Sequence, residues 1–210
     1  VTELGTAPFD VKRELRALYA PKNRDWEILT VPPQRFLAVD GTGDPNTAPA
    51  YVEAVEALYA VAYTLKFIGK RAGRDWVVGP LEGLWYADDA TVFTTRDKAR
   101  WSWTMLINLP DWVAEADVGD AIQAARAKKK ALPGLDRVRV EALDEGLSMQ
   151  LLHVGSYDEE TPALTRLHGE VLPASGLRER DKHHEVYLGD PRRTAPEKLK
   201  TVVRQPVAPA

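Results

Sequence analysis

Apolar residues recur along the chain with two periods, and the switches between them mark out the elements. Asp10 followed by Val11, Leu15 and Leu18 at helical spacing, closed by Pro21, predicts a short amphipathic helix over Asp10 to Tyr19. Pro49 suits a first helical turn, and from there Tyr51, Val55, Leu58, Ala62 and Leu65 follow at spacings of four, three, four and three. That predicts a helix of about five turns. WEILTV (Trp26 to Val31) and RFLAVDG (Arg35 to Gly41) are extended in character and split by Pro32 and Pro33. DWVVGPLEGLWYADD predicts strand, kink at Gly79 and Pro80, then strand again. In the strand from Arg100 to Pro110, Trp101, Trp103, Met105 and Ile107 fall on one face. Residues 35 to 109 therefore have the order strand, helix, strand, strand.

The second half repeats this order. A helix from about Asp111 to Ala131 leads into RVRVEAL, then a strand over Gly146 to Gly155, a helix from about Glu159 to Ala174, a polar connector over 176–182, and the strands HHEVYLGD and LKTVVRQPV. Repeated order is the trace of a duplication. The expectation is an α+β fold of two βαββ units related by a pseudo-twofold axis, because each sheet has one apolar face that needs covering. Within one domain, residues 1–34 form an N-terminal helix and strand, 35–110 the first unit, 111–145 a connecting helix and strand, and 146–210 the second unit.

Composition changes this picture little. The chain has 210 residues, 44% hydrophobic and 28% charged, enough for a sizeable core. No apolar run approaches the length of a membrane span, and the N-terminal segment lacks the apolar core of a secretory signal, so a cytoplasmic address without membrane contact is expected. The absence of cysteine removes thiolate catalysis and thiolate metal sites. A net charge of −3 argues against nucleic acid as a partner. The one basic run, Arg126 with Lys128, Lys129 and Lys130, fits the cationic last turn of a helix.

Several strings go beyond periodicity: FDVKRELRALYAPK, VDGTGDPNTAPAYVEAVEALYAVAYTLKF, WVVGPLEGLWYADD and HHEVYLGDPRRTAPEKLKTVVRQPV. On these the chain resembles the gyrase-inhibitor-like (GyrI-like) small-molecule-binding family, in its branch without a DNA-binding domain. The resemblance implies antiparallel sheets flanking a central ligand cleft and tolerance for diverse hydrophobic, often cationic, ligands. The family includes effector domains of multidrug-responsive regulators, proteins acting on DNA gyrase, and hydrolases of cyclopropane-bearing DNA-alkylating compounds. A binding module that sequesters such molecules is the first reading. A hydrolase adding water to a cyclopropane is the second, and a protein partner such as gyrase, bound through an outer surface, the third. None needs a cofactor.

Glu185 is the first candidate for chemistry, with Tyr187 two positions on and so on the same strand face. A carboxylate among aromatics is expensive to desolvate unless a cation offsets it, and the same desolvation suits a general base toward water. The alternative is a glutamate facing solvent or paired with Arg178 or Arg180. Aligning LEGLWYADD with HHEVYLGDP sets Gly83 in the role of Glu185 and Trp85 in that of Tyr187, so one unit supplies the carboxylate and the other a gap. Trp101 and Trp103 form an aromatic platform on the face shared with Met105, suited to stacking on a planar cation, with half-exposed cover over the sheet as the alternative; for Trp85 the alternative is core packing. Tyr59 and Tyr63 lie one helical turn apart, and Tyr63 is the candidate for a hydroxyl that orients ligand or assists proton transfer. His183 shares a face with Glu185, while His184 points the other way, which with the absence of a helical His pair argues against a metal site. GTGDPN lacks a Walker lysine and reads as a turn.

Overall fold

The computed structural model describes residues 7–89, 91–128 and 132–210. Residues 1–6, Lys129 and Lys130 of the basic run, and the expected helix end at Ala131 lie outside them. In chain order the elements are α1 (Val11–Glu14), α2 (Arg16–Tyr19), β1 (Glu27–Val31), β2 (Gln34–Thr42), α3 (Pro49–Arg71), β3 (Leu81–Tyr86), α4 (Thr91–Thr94), β4 (Ser102–Leu109), α5 (Glu115–Lys128), β5 (Arg139–Leu143), β6 (Gly146–Val154), α6 (Thr161–Arg166), α7 (Leu172–Ala174), β7 (Leu177–Glu179), β8 (His183–Tyr187) and β9 (Lys200–Pro209). No helix among the described residues is long and apolar enough to cross a membrane.

The strands form one antiparallel sheet in the order β1-β6-β9-β8-β3-β4-β2-β5, with β7 added to β9. This order is a palindrome about the β8–β3 pair. Each half contributes a strand, a helix and two strands, as the repeated sequence order predicts. What the sequence does not announce is an exchange of edges. β1 leads into β2 but pairs with β6, and β5 leads into β6 but pairs with β2. Only Pro32 and Pro33 separate β1 from β2, and only Asp144 and Glu145 separate β5 from β6. Two residues span a short distance, so the sheet curls until its ends approach each other.

Curling gives the sheet an inner and an outer face. Leu37, Val39, Trp103, Met105 and Ile107 pack on the outer face beneath Ala54, Leu58, Val61 and Leu65 of α3, and α5 covers α3 in turn. In the second half, Met149 and Val207 pack with Leu167 and Leu172. The inner face carries Phe36, Ala38, Leu84 and Leu106, and beside them Val186 and Val202 meet Leu18 and Tyr19 of α2.

Several sequence expectations are corrected. The opening helix is broken at Leu15, whose backbone (φ −110°, ψ 54°) leaves the helical region. Residues 75–79 form no sheet strand; Trp76 makes a lone parallel bridge with Phe9 instead, and the strand begins after Pro80. The helix placed from Asp111 starts at Glu115, where Asp117 accepts the Ala114 N–H. The segment expected as one helix over 159–174 contains a π-helical turn, Leu167–Val171, between α6 and α7. Leu167 and Leu172 are both buried in one cluster five positions apart, a spacing the wider turn accommodates. Leu177–Glu179, read as connector, pairs with β9.

Candidate functional site

The site grows from the middle of the sheet. In the β3–β8 pairing Gly83 stands directly opposite Glu185, with Trp85 opposite His183 and Leu81 opposite Tyr187. Gly83 and Glu185 are also the residues that the internal repeat equates, so the pseudo-twofold axis passes between them. A carboxylate on such an axis is supplied once. The missing side chain at position 83 leaves room for a contact across it: Trp85 Nε1 donates to Tyr187 Oη (2.8 Å), and Tyr187 in turn donates to Glu185 Oε2 (2.8 Å). A Cβ on Gly83 would come within 3.0 Å of the Trp85 nitrogen, 3.1 Å of the Tyr187 oxygen and 3.3 Å of Met105 Cε.

Aromatic rings surround the carboxylate. Tyr157, just ahead of α6, meets Tyr187 edge to face at 5.5 Å between centroids. Tyr51, in the first turn of α3, meets Trp103 in the same way at 5.3 Å. Burial first and the Glu185 charge second raise the pKa of Tyr51, Tyr157 and Tyr187; Tyr157 is pushed up to about 12. All three phenols are therefore neutral hydrogen-bonding groups at ordinary pH. His183 Nε2 lies 3.4 Å from Glu185 Oε1, and the side chains are 15% and 14% exposed, so the carboxylate is largely but not wholly buried.

A second carboxyl borders the cluster. Gly155, at φ +148°, turns the chain out of β6, and Glu159 accepts both the N–H and the hydroxyl of Ser156. That cap aims the next residue, Glu160, inward, where it is 3% exposed. Burial, and then the charge of Glu185, hold its carboxyl far above the usual carboxylate range. Beside it is Thr201, which pairs with Tyr187 in the β8–β9 ladder and so shares its face.

Glu185, Tyr187, Trp85, Gly83 and His183 thus come together, with Met105 buried directly beneath them. The tryptophan platform is different from the one expected. Trp103 is wholly enclosed: its ring occupies the place a Cβ on Gly41 would take, and its nitrogen donates to the Gly43 carbonyl (3.2 Å). Trp101 precedes β4 and packs between Phe93 and the edge of Trp85, its nitrogen bound to the Val92 carbonyl. Trp103 therefore offers no open face, whereas Trp101 stays partly exposed. Tyr63 stacks on Tyr59 and is 48% exposed; it lies twelve residues beyond Tyr51, about 18 Å along the helix, which corrects its assignment to the chemistry beside Glu185. Tyr59 is half-buried nearer the cluster. Tyr51, Tyr157, Glu160 and Thr201 were not singled out from the sequence. The Ser156–Glu159 capping spacing was the one legible signal for Glu160.

On the inner face lies an independent polar cluster. His184 is fully buried between Glu145 (Nδ1 to Oε1, 2.9 Å) and Glu82 (Nε2 to Oε2, 3.0 Å). Tyr19 donates to Glu82, and Arg204 donates to Glu145 and Gln150 and to the Leu18 carbonyl. Burial alone would lower His184, but the adjacent Glu145 charge and the hydrogen bonds the imidazole donates to both glutamates outweigh it and raise it to about 9. Burial likewise opposes ionisation of Glu145, yet His184 and Arg204 pull it down to about 2. The cluster ties α2 to both halves of the sheet and is almost wholly buried.

A family described as the GyrI-like small molecule binding domain matches residues 24–208. No curated protein matches the chain. Among solved structures, an uncharacterized conserved protein from Listeria innocua is 39% identical over 95% of this chain and 100% of its own, with a TM-score of 0.87. A protein described as a hydrolase from Listeria innocua is 38% identical over 95% of this chain and 100% of its own, with a TM-score of 0.83. The EcmrR C-terminal domain shares the fold at 9% identity, with a TM-score of 0.58 over 89% of this chain and 98% of its own.

Proposed function

The chain belongs to the GyrI-like small-molecule-binding family, and from that premise we propose that it takes up lipophilic aromatic cations of varied shape, with Glu185 as their counter-charge. The observation that carries this reading is the lone carboxylate on the symmetry axis, embedded in aromatic rings and held by Tyr187 at 2.8 Å. An ionised carboxylate in so apolar a setting is costly, and an arriving cation offsets that cost. Stacking and cation–π contacts are tolerant of shape, which suits several ligands rather than one. Trp85, Tyr51, Tyr157 and Tyr187 line the cleft in this reading, while Trp103 and Met105 back it.

The test pairs one cationic and one neutral ligand of similar shape. A rhodamine should bind at micromolar strength and quench tryptophan fluorescence, and Glu185→Gln should weaken it by about 1–3 kcal/mol while leaving the neutral ligand little changed. Equal losses for both ligands, or none, would remove the counter-charge.

A second reading is supported by the Listeria innocua neighbour described as a hydrolase. Here Glu185 takes a proton from water as the water oxygen bonds to a cyclopropane carbon, while the aromatic rings hold the electrophile in line. The strained C–C bond breaks, its electron pair passes into the conjugated system joined to the ring, and that system then takes up the proton, which returns Glu185 to its starting form. Incubating a cyclopropane-bearing indole alkylator with the protein and with Glu185→Gln separates the readings. Product from the wild type alone supports hydrolysis; saturable binding without product leaves the binding module.

A further inference from the structure

We propose that Glu160 and Thr201 form a second polar subsite beside Glu185, taking a neutral hydrogen-bond acceptor of the ligand, such as a ketone or ester carbonyl, while Glu185 takes its cationic group. This rests on the cation-binding reading of Glu185 and names the ligand class more narrowly: a lipophilic aromatic cation that also carries a neutral acceptor.

Three observations lead here. Glu160 Oε1 and Thr201 Oγ1 are both buried without a partner of good hydrogen-bond geometry among the described residues, although buried polar atoms in folded proteins nearly always have a partner. The two side chains lie only close enough for Thr201 to pull the Glu160 pKa down slightly against its overall rise. They lie side by side on the face that carries Glu185, since Thr201 is registered with Tyr187 and the turn holding Glu160 places Tyr157 against the same ring. Neither position is accidental, because the Ser156–Glu159 cap fixes the first and the β8–β9 ladder the second. The charge state then sets the chemistry. Burial, and then the charge of Glu185, hold the Glu160 carboxyl far above the usual carboxylate range, so the subsite presents O–H donors and no second negative charge. It therefore selects against a dication and for an acceptor oxygen.

The probe is a matched pair of aryl trimethylammonium ions of the same shape, one bearing an acetyl group and the other an isopropenyl group. Wild-type protein and Glu160→Gln, which keeps a neutral donor, are expected to bind the acetyl ion tighter by on the order of fivefold. Glu160→Leu and Thr201→Val should each shrink that preference while still binding the isopropenyl ion. Binding of both ions by the wild type without preference, as when water alone occupies the subsite, overturns it, and so does a preference that survives Glu160→Leu and Thr201→Val. Failure of the wild type to bind either ion overturns the cation reading of Glu185, and the subsite with it. Independently of any ligand, the infrared spectrum at neutral pH should show a protonated carboxyl band that Glu160→Gln removes; its absence from the wild type refutes the donor role.

Discussion

Single residues decide the two faces of β8 in opposite ways. Glu185 faces the aromatic cluster and its neighbour His184 the inner polar cluster, so consecutive residues lie in different surroundings. Gly83 is the other decisive position: Gly83→Ala pushes a methyl against Trp85 and Tyr187, and we expect it to fold with a loss of about 1–3 kcal/mol but to break the Trp85–Tyr187 bond. Tryptophan emission and cation affinity would both change; an unaltered affinity would mean that the bond does not shape the site. His184→Ala strands Glu82 and Glu145 without their shared partner, with an expected cost of about 3–5 kcal/mol in urea unfolding. The raised pKa of His184 also sets a pH dependence. Folding favours its protonated form, so this stabilisation is full below about 6.5, the ordinary histidine value, and drains away as pH rises through about 9. Glu145 acts with the opposite sign, its contribution fading as pH falls from 4.5 toward about 2. Urea midpoints should therefore decline between pH 6.5 and 9, and a flat profile there would show that His184 is not held protonated.

At the scale of elements, the segment from Tyr157 to Ala174 links site and core. Its first turn delivers Tyr157 and Glu160 to the aromatic cluster around Glu185, and its π-helical turn seats Leu167 in the core of the second half. Leu167→Ala opens a cavity under this segment and should cost about 2–5 kcal/mol. Because the segment is anchored there, ligand affinity should fall along with stability. Affinity unchanged at a temperature where the variant stays folded would show that the turn carrying Glu160 is held by the Ser156 cap alone. Helix α3 has a simpler role: its apolar stripe covers the first half, and its first turn brings Tyr51 to the aromatic cluster.

For the molecule as a whole, the exchange of edge strands makes each half depend on the other. β1 lies in the first half of the chain but completes the second half of the sheet, and β5 does the reverse. Residues 1–110 on their own would lack β5 beside β2, β8 beside β3 and the partner of β1. We expect that fragment to show no cooperative thermal transition by circular dichroism, and adding residues 111–210 to restore one. A sharp transition from the fragment alone would show that the first βαββ unit is self-sufficient.

Local pattern was enough for much of this. The stripe of α3, the alternation in β4 and the repeated element order predict the α+β class and the two halves, because period and breaker residues act between near neighbours. The same alternation puts Glu185, Tyr187 and His183 on one face and His184 on the other, and the repeat pairs Gly83 with Glu185. Tertiary structure alone decided what meets across long stretches of chain. Glu145 reaches Arg204, Tyr19 reaches Glu82, and Glu160 comes to rest near Glu185, none of which any periodicity encodes. Trp103 and Tyr63 show the same limit in reverse: strand and helix faces were legible, but whether a ring ended under other rings or in solvent depended on Gly41, Tyr51 and the length of α3. Burial and charge are sums over neighbours from the whole fold, and so they take their values only when the sheet has closed.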